Sequence, residues 1–208
     1  MKAITLRTYM LLSLLLLTLG ACSLGPKEQT GFAQSTQGSF PLTQTQVQEI
    51  QAIPHGERPA PSTYLPQSYI RIHLSYFQAG ASYLVSKAAL DRWGRNPVGR
   101  PDGQFVSTKS DIDNLLKKTQ GDLALIEEEL GIPAGTWQGK PFVRIDIPQP
   151  SQFHLRLPSG NESGANTLWI PGGRLPTGKL EAVVNPIPQG AYVETALPIA
   201  VKSVNQQQ

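Results

Sequence analysis

Residues 141–147, PFVRIDI, put Val143, Ile145 and Ile147 on one side of an extended chain and Arg144 and Asp146 on the other. A period of two fits a strand with one buried face, and it fits no helix. The chain has one cysteine in 208 residues, so no internal disulfide can substitute for a core. Strands of this kind must therefore bury their apolar faces together.

The same reading extends along the chain. YIRIHLSYF places Ile70, Ile72 and Leu74 opposite Arg71, His73 and Ser75, which predicts a half-buried strand. SYLVS and GQFVS predict two short strands. Ser86 is placed to cap a helix over KAALDRW that ends at Gly94. TKSDIDNLLKK carries Ile112, Leu115 and Leu116 on one helical face. Asp122 precedes LALIEEEL, and Gly131 and Pro133 stop it. FHLRL directs Phe153, Leu155 and Leu157 inward and His154 and Arg156 outward, and LEAVV, AYVET and PIAVKSV add further strands. Two or three short helices in the first half and strands later predict one α+β domain over residues 67–208 with a mainly antiparallel sheet.

The segment before it reads differently. Lys2 and Arg7 precede an apolar run from Tyr9 to Leu19. That is shorter than the roughly 20 residues a membrane span needs and suits a secretory signal over residues 1–21. Gln, Ser, Thr, Gly and Pro dominate residues 23–66, which predicts a flexible tether, with a short helix around Val47 and Ile50 as an option. The quartet Leu19-Gly20-Ala21-Cys22 resembles the lipobox of bacterial lipoproteins. That resemblance implies lipidation of Cys22 and a membrane partner through the lipid anchor. With Ser23 rather than Asp after the cysteine, it implies the outer membrane.

Loss of residues 1–21 removes Lys2 and Arg7, leaving 16 basic against 15 acidic side chains. A near-neutral balance gives no footprint for nucleic acid. His55, His73 and His154 lie far apart in sequence, so no metal site is expected.

Two loops concentrate unusual residues. In GRPDGQFVST, Arg100, Asp102 and Gln104 flank a glycine turn, and Ser107-Thr108 end a strand at a helix start. That hydroxyl pair is either a helix cap or a ligand-orienting group. The stretch 157–184 sets Asn161, Glu162, Asn166 and Trp169 among glycines and prolines, as candidate ligand contacts or, for Trp169, a packing lid. It leads to Glu181, opposite in direction to Leu180 and Ala182, which is either an acid-base group or a solvated carboxylate.

Four stretches, GRPDGQFVSTKSDIDNLL, GDLALIEEELGIPAGTWQGKPFVRIDI, LRLPSGNESGANTLWIPGG and PTGKLEAVVNPIPQGAY, resemble C-terminal domains of polymorphic toxins of the contact-dependent inhibition and Rhs types. FVST (105–108), LEAVVNPIP (180–188) and an arginine in YIRIHL further resemble the ordered parts of ADP-ribosyltransferase-like domains. That likeness implies NAD as cofactor or substrate. It implies that Arg71 binds a phosphate, that Ser107 and Thr108 orient the nicotinamide ribose, and that Glu181 stabilises the transition state. A toxin-like domain implies an immunity or envelope protein as partner. A non-catalytic envelope binding module and a nuclease are the alternative readings.

Replacing the lipobox cysteine tests the anchor. Cys22→Ala is expected to abolish lipidation and move the protein out of the membrane fraction, measured by fractionation and by the mass of the mature N-terminus.

Overall fold

The computed structural model describes residues 40–137 and 140–197. Five strands form one antiparallel sheet: β1 (Ala81–Ser86), β2 (Gln104–Thr108), β3 (Phe142–Ile147), β4 (Glu181–Val184) and β5 (Val193–Leu197). Their order across the sheet is β4-β2-β1-β3-β5. Among the described residues five α-helices accompany them: α1 (Gln44–Ala52), α2 (Gln67–Ser75), α3 (Lys87–Trp93), α4 (Lys109–Thr119) and α5 (Leu123–Glu129). The architecture is α+β.

Strand alternation divides the sheet into two unlike faces. Tyr83, Val106, Val143, Ile145, Ile147, Ala182 and Val184 lie in one apolar core with Phe77, Leu90 and Val98. On the opposite face, α4 and α5 cover Leu84 and Phe142 with Ile112, Leu115 and Ile126. The caps are local. Ser86 accepts from Ala89 N at 3.2 Å, Thr108 from Asp111 N at 3.1 Å, and Asp122 from Ala124 N at 3.1 Å.

Residues 67–75 form a helix, not the strand that the alternation of Ile70, Ile72 and Leu74 predicts. Tyr69, His73 and Phe77 are spaced by four, and their rings contact in series at 5.8 and 5.9 Å. Ile70 and Leu74 pack beside them, while Ile72 and Arg71 are left exposed. The aromatic stripe at helical spacing buries more surface than the three aliphatic residues on one strand face would.

Residues 40–66 belong to the fold, although their composition suggests a tether. Thr43 and Gln46 form a reciprocal capping box at the start of α1. Leu42, Ile50 and Leu65 pack with Tyr69, Leu157 and Trp169 into a third cluster. A few well-spaced apolar residues are enough here because a ready surface, the 157–169 loop, receives them. Residues 22–39 of the expected tether, the signal segment and the PIAVKSV strand beyond Leu197 lie outside the described residues.

FHLRL is not a regular strand. Pro150–Phe153 make a 3-10 turn, His154 takes a left-handed conformation at φ 50°, and pairing shrinks to the single bridge Arg156–Val183. The left-handed residue breaks the extended run before it can add an edge to the sheet.

Removing residues 40–66 strips Leu42, Ile50 and Leu65 from their cluster. At roughly 1.5–3 kcal/mol for each buried aliphatic side chain, a chain starting at residue 67 is expected to melt well below one starting at residue 36. Ile50→Ala alone is expected to cost about 2–3 kcal/mol, read by chemical denaturation.

Candidate functional site

Register brings a polar row together on the helix-covered face. Glu181 of β4 pairs directly with Ser107 of β2, Ser107 with Ser82 of β1, and Ser82 with Asp146 of β3. Directly opposed residues share a face, so the four side chains form one line across four strands.

The two ends of the row differ. At the β3 end, Arg144 donates from Nε to Asp146 at 2.7 Å and from Nη1 to Asp113 of α4 at 2.6 Å. Ser82 donates to Asp146 as well, so this end is an internally satisfied ion cluster. At the β4 end, the Glu181 carboxyl and the Ser107 hydroxyl have no hydrogen-bond partner among the described residues. Both face a cleft of about 460 Å³.

Beyond Glu181 and Ser107 the cleft is lined by Leu84 and Phe105 from the sheet, and by Ile132 and Trp137 from the loop after α5. Glu127 fixes that loop: its carboxylate accepts from Gly135 N at 2.7 Å and from Trp137 N. Arg100, Gln104, Lys140, Gly164 and Asn166 complete the walls. A separate pocket of about 220 Å³ between Leu84, Leu116, Ile126 and Phe142 carries no titratable side chain. A third pocket of about 70 Å³, between Phe105, Trp169, Arg174 and Leu175, also reaches Glu181.

The backbone around Glu181 is held from behind. Its N–H donates to Gly173 O at 2.7 Å, and its carbonyl accepts from His73 Nε2 at 2.9 Å. Gly173, at φ 72°, has no room for a side chain: a Cβ would lie 2.4 Å from Leu157 Cδ2 and 2.8 Å from the Glu181 carbonyl. Burial pushes the Glu181 carboxyl up to about 8, with the Glu162 carboxylate adding to the effect. Burial also pushes His73 down to about 4. The imidazole is therefore neutral, with its proton on Nε2 and Nδ1 left as a buried acceptor without a partner among the described residues.

The residues expected to bind ligand separate into two groups. Ser107, Glu181, Arg100, Gln104 and Asn166 meet at the cleft. Asn166 is also tied down, donating to Gly131 O at 2.9 Å and accepting from Leu168 N at 2.7 Å. The others build the frame. Thr108 is the cap of α4 and its side chain alternates away from the cleft. Asp102 accepts from Ser163 Oγ and from its backbone N–H, pinning two loops. Asn161 accepts from Gly56 N at 2.8 Å and donates to Arg58 O at 2.8 Å. Glu162 closes its own turn on Ser159 and Gly160 N–H groups. Trp169 is the lid rather than a stacking platform: its ring lies 2.7 Å from where a Gly160 Cβ would sit, under the Arg58 guanidinium at 4.7 Å. Arg71 stands exposed on α2 and does not line the cleft. Cys22 lies outside the described residues.

Sequence reasoning missed Ser82, Lys140 and the supporting role of His73, and singled out Phe105 only within FVST. The period-two spacing of Ser82, Leu84 and Ser86 carried a signal for the first. Comparison with family models, curated proteins and solved structures finds no match for the chain.

The two shifted groups set opposite pH slopes on stability. Unfolded, His73 takes a proton below its ordinary 6.5, but folded only below about 4, so its contribution falls as pH drops through that interval. Folded, Glu181 keeps a proton up to about 8 that the unfolded chain releases near 4.5, so its contribution falls as pH rises through that interval. The slopes cancel between 4.5 and 6.5. Above 6.5 the Glu181 slope stands alone and should remove on the order of 2 kcal/mol by pH 8. Denaturant titrations across this range are expected to show that decline in the intact protein and its loss in Glu181→Gln.

Proposed function

We propose that this chain is a lipid-anchored bacterial envelope protein whose folded domain cleaves the glycosidic bond of NAD, as a glycohydrolase or an ADP-ribosyltransferase. The observation that carries the reading is the direct pairing of Ser107 with Glu181 at one end of a cleft, both with free polar atoms.

Each residue has a role that its surroundings support. Burial disfavours the ionised form of Glu181, so a passing cation is strongly attractive to its carboxylate. The nicotinamide ring of NAD is such a cation. Its arrival favours proton loss from Glu181, and the resulting carboxylate stabilises positive charge developing on the ribose. The bond from ribose C1′ to the ring nitrogen breaks, and its electron pair leaves with neutral nicotinamide. Water or an acceptor nucleophile then bonds to C1′ and gives up its proton. Ser107 orients a ribose hydroxyl. Phe105 and Trp137 supply aromatic surface for the ring.

Arg71 has no part in this scheme, since it stands outside the cleft. That position favours the second reading, a binding module that uses the same cleft without turnover.

The purified chain incubated with NAD is expected to release nicotinamide, measured by chromatography. Glu181→Ala should lower the rate by on the order of 10²-fold or more. Because Glu181 must lose its proton, kcat/KM should rise with pH toward about 8. An intact, folded chain that leaves NAD uncleaved would remove the catalytic reading and leave the binding module.

A further inference from the structure

The cleft has a polarity that the Glu181–Ser107 pair alone does not use. Its charged lining residues are Glu181, Arg100 and Lys140. Glu181 belongs to the level of Ser107 and Ser82, at the start of β1. Lys140 belongs to the other end, because the adjacent Pro141 accepts from Lys87 N, just past Ser86. Arg100 belongs there too, since its carbonyl accepts from Gly103 N, directly before β2. Four residues of strand separate Ser82 from Ser86, roughly 13 Å. Leu84, Phe105 and Ile132 line the space between.

Neither cation forms an ion pair among the described residues, although the Arg100 charge helps to lower the nearby Asp102 carboxyl. Asp91, Asp113, Glu129, Asp146 and Glu194 are each engaged by other basic side chains. Asp102, two residues from Arg100, is turned to Ser163. Arg100 has no ion-pair partner among the described residues, and Lys140 donates only to Thr136 O, at 3.0 Å. Two cations flanking a trough of mixed apolar and hydroxyl or amide lining, with a lone carboxyl at its far end, match a ligand that is itself bipolar.

We infer that Arg100 and Lys140 form an anion subsite that holds a phosphate group of the ligand while its cationic or donor head lies at Glu181. The inference rests on reading this cleft as the ligand site, and it replaces Arg71 with two residues of the cleft itself. Arg100 supplies a planar fork to phosphate oxygens, and Lys140 a point charge with donors to spare.

Two probe pairs that differ only by phosphate test it by calorimetry: nicotinamide mononucleotide against nicotinamide riboside, and adenosine monophosphate against adenosine. The intact protein should bind the phosphate-bearing member of the nicotinamide pair about tenfold tighter or more. The double variant Arg100→Ala/Lys140→Ala should bind both members alike, with riboside affinity unchanged as the control for folding. Equal affinity within both pairs, or a phosphate preference that survives in the double variant, overturns the subsite. The outcome is separable from the NAD reading. If only the adenosine pair shows a preference that depends on Arg100 and Lys140, the subsite stands and NAD chemistry falls. If NAD is cleaved with no phosphate preference, the reverse holds.

Discussion

The hydrogen bond from His73 to the carbonyl oxygen of Glu181 ties α2 to β4. It is a bond between a buried neutral imidazole and the backbone of an outer strand, and it depends on α2 lying behind β4. The aromatic stripe Tyr69–His73–Phe77 holds α2 there. Tyr69 adds a second tie, donating to Gly172 O at 2.8 Å. An outer strand normally offers unpaired backbone to solvent. Here Gly173, His73 and the Arg156 bridge take up those groups. The backbone of Glu181 is thereby fixed on one side, and its side chain lines the cleft.

One sheet serves two purposes because side chains alternate. The face behind the site is apolar across the sheet and supplies the main core. The other face carries the row from Glu181 to Asp146, where a fully apolar sheet would be more stable. Arg144 offsets the cost at one end by satisfying Asp146, Asp113 and Ser82 together. No equivalent cation reaches Glu181.

What was legible in the sequence follows from how local each signal is. Strands β1 to β5 announce themselves by alternation, and Ser86, Thr108 and Asp122 cap helices by contacts within three residues. Glu181 and Ser107 were identifiable as outward polar residues on neighbouring segments, but their direct pairing is a property of register. Residues 67–75 satisfied two periods at once. The aliphatic one was counted and the aromatic one, which the tertiary packing selects, was not. Residues 40–66 were too polar to bury a core alone, and only the loop they cover makes them part of one.

The 157–180 loop misled for a physical reason. A chain rich in glycine and proline forms few backbone hydrogen bonds of its own, so polar side chains must substitute for them. Asn161, Glu162 and Asp102 look like ligand contacts because they have the same donors and acceptors, yet each is spent on a backbone N–H. Their saturation is what leaves Glu181 alone. The loop offers the carboxyl no hydrogen-bond partner, and the Glu162 carboxylate it brings near is of like sign. The low local dielectric that makes Glu181 hold its proton also strengthens its attraction for any cation that enters. Strong proton affinity and strong cation affinity are thus one property of the site, and a frame built of satisfied amides and carboxylates produces both.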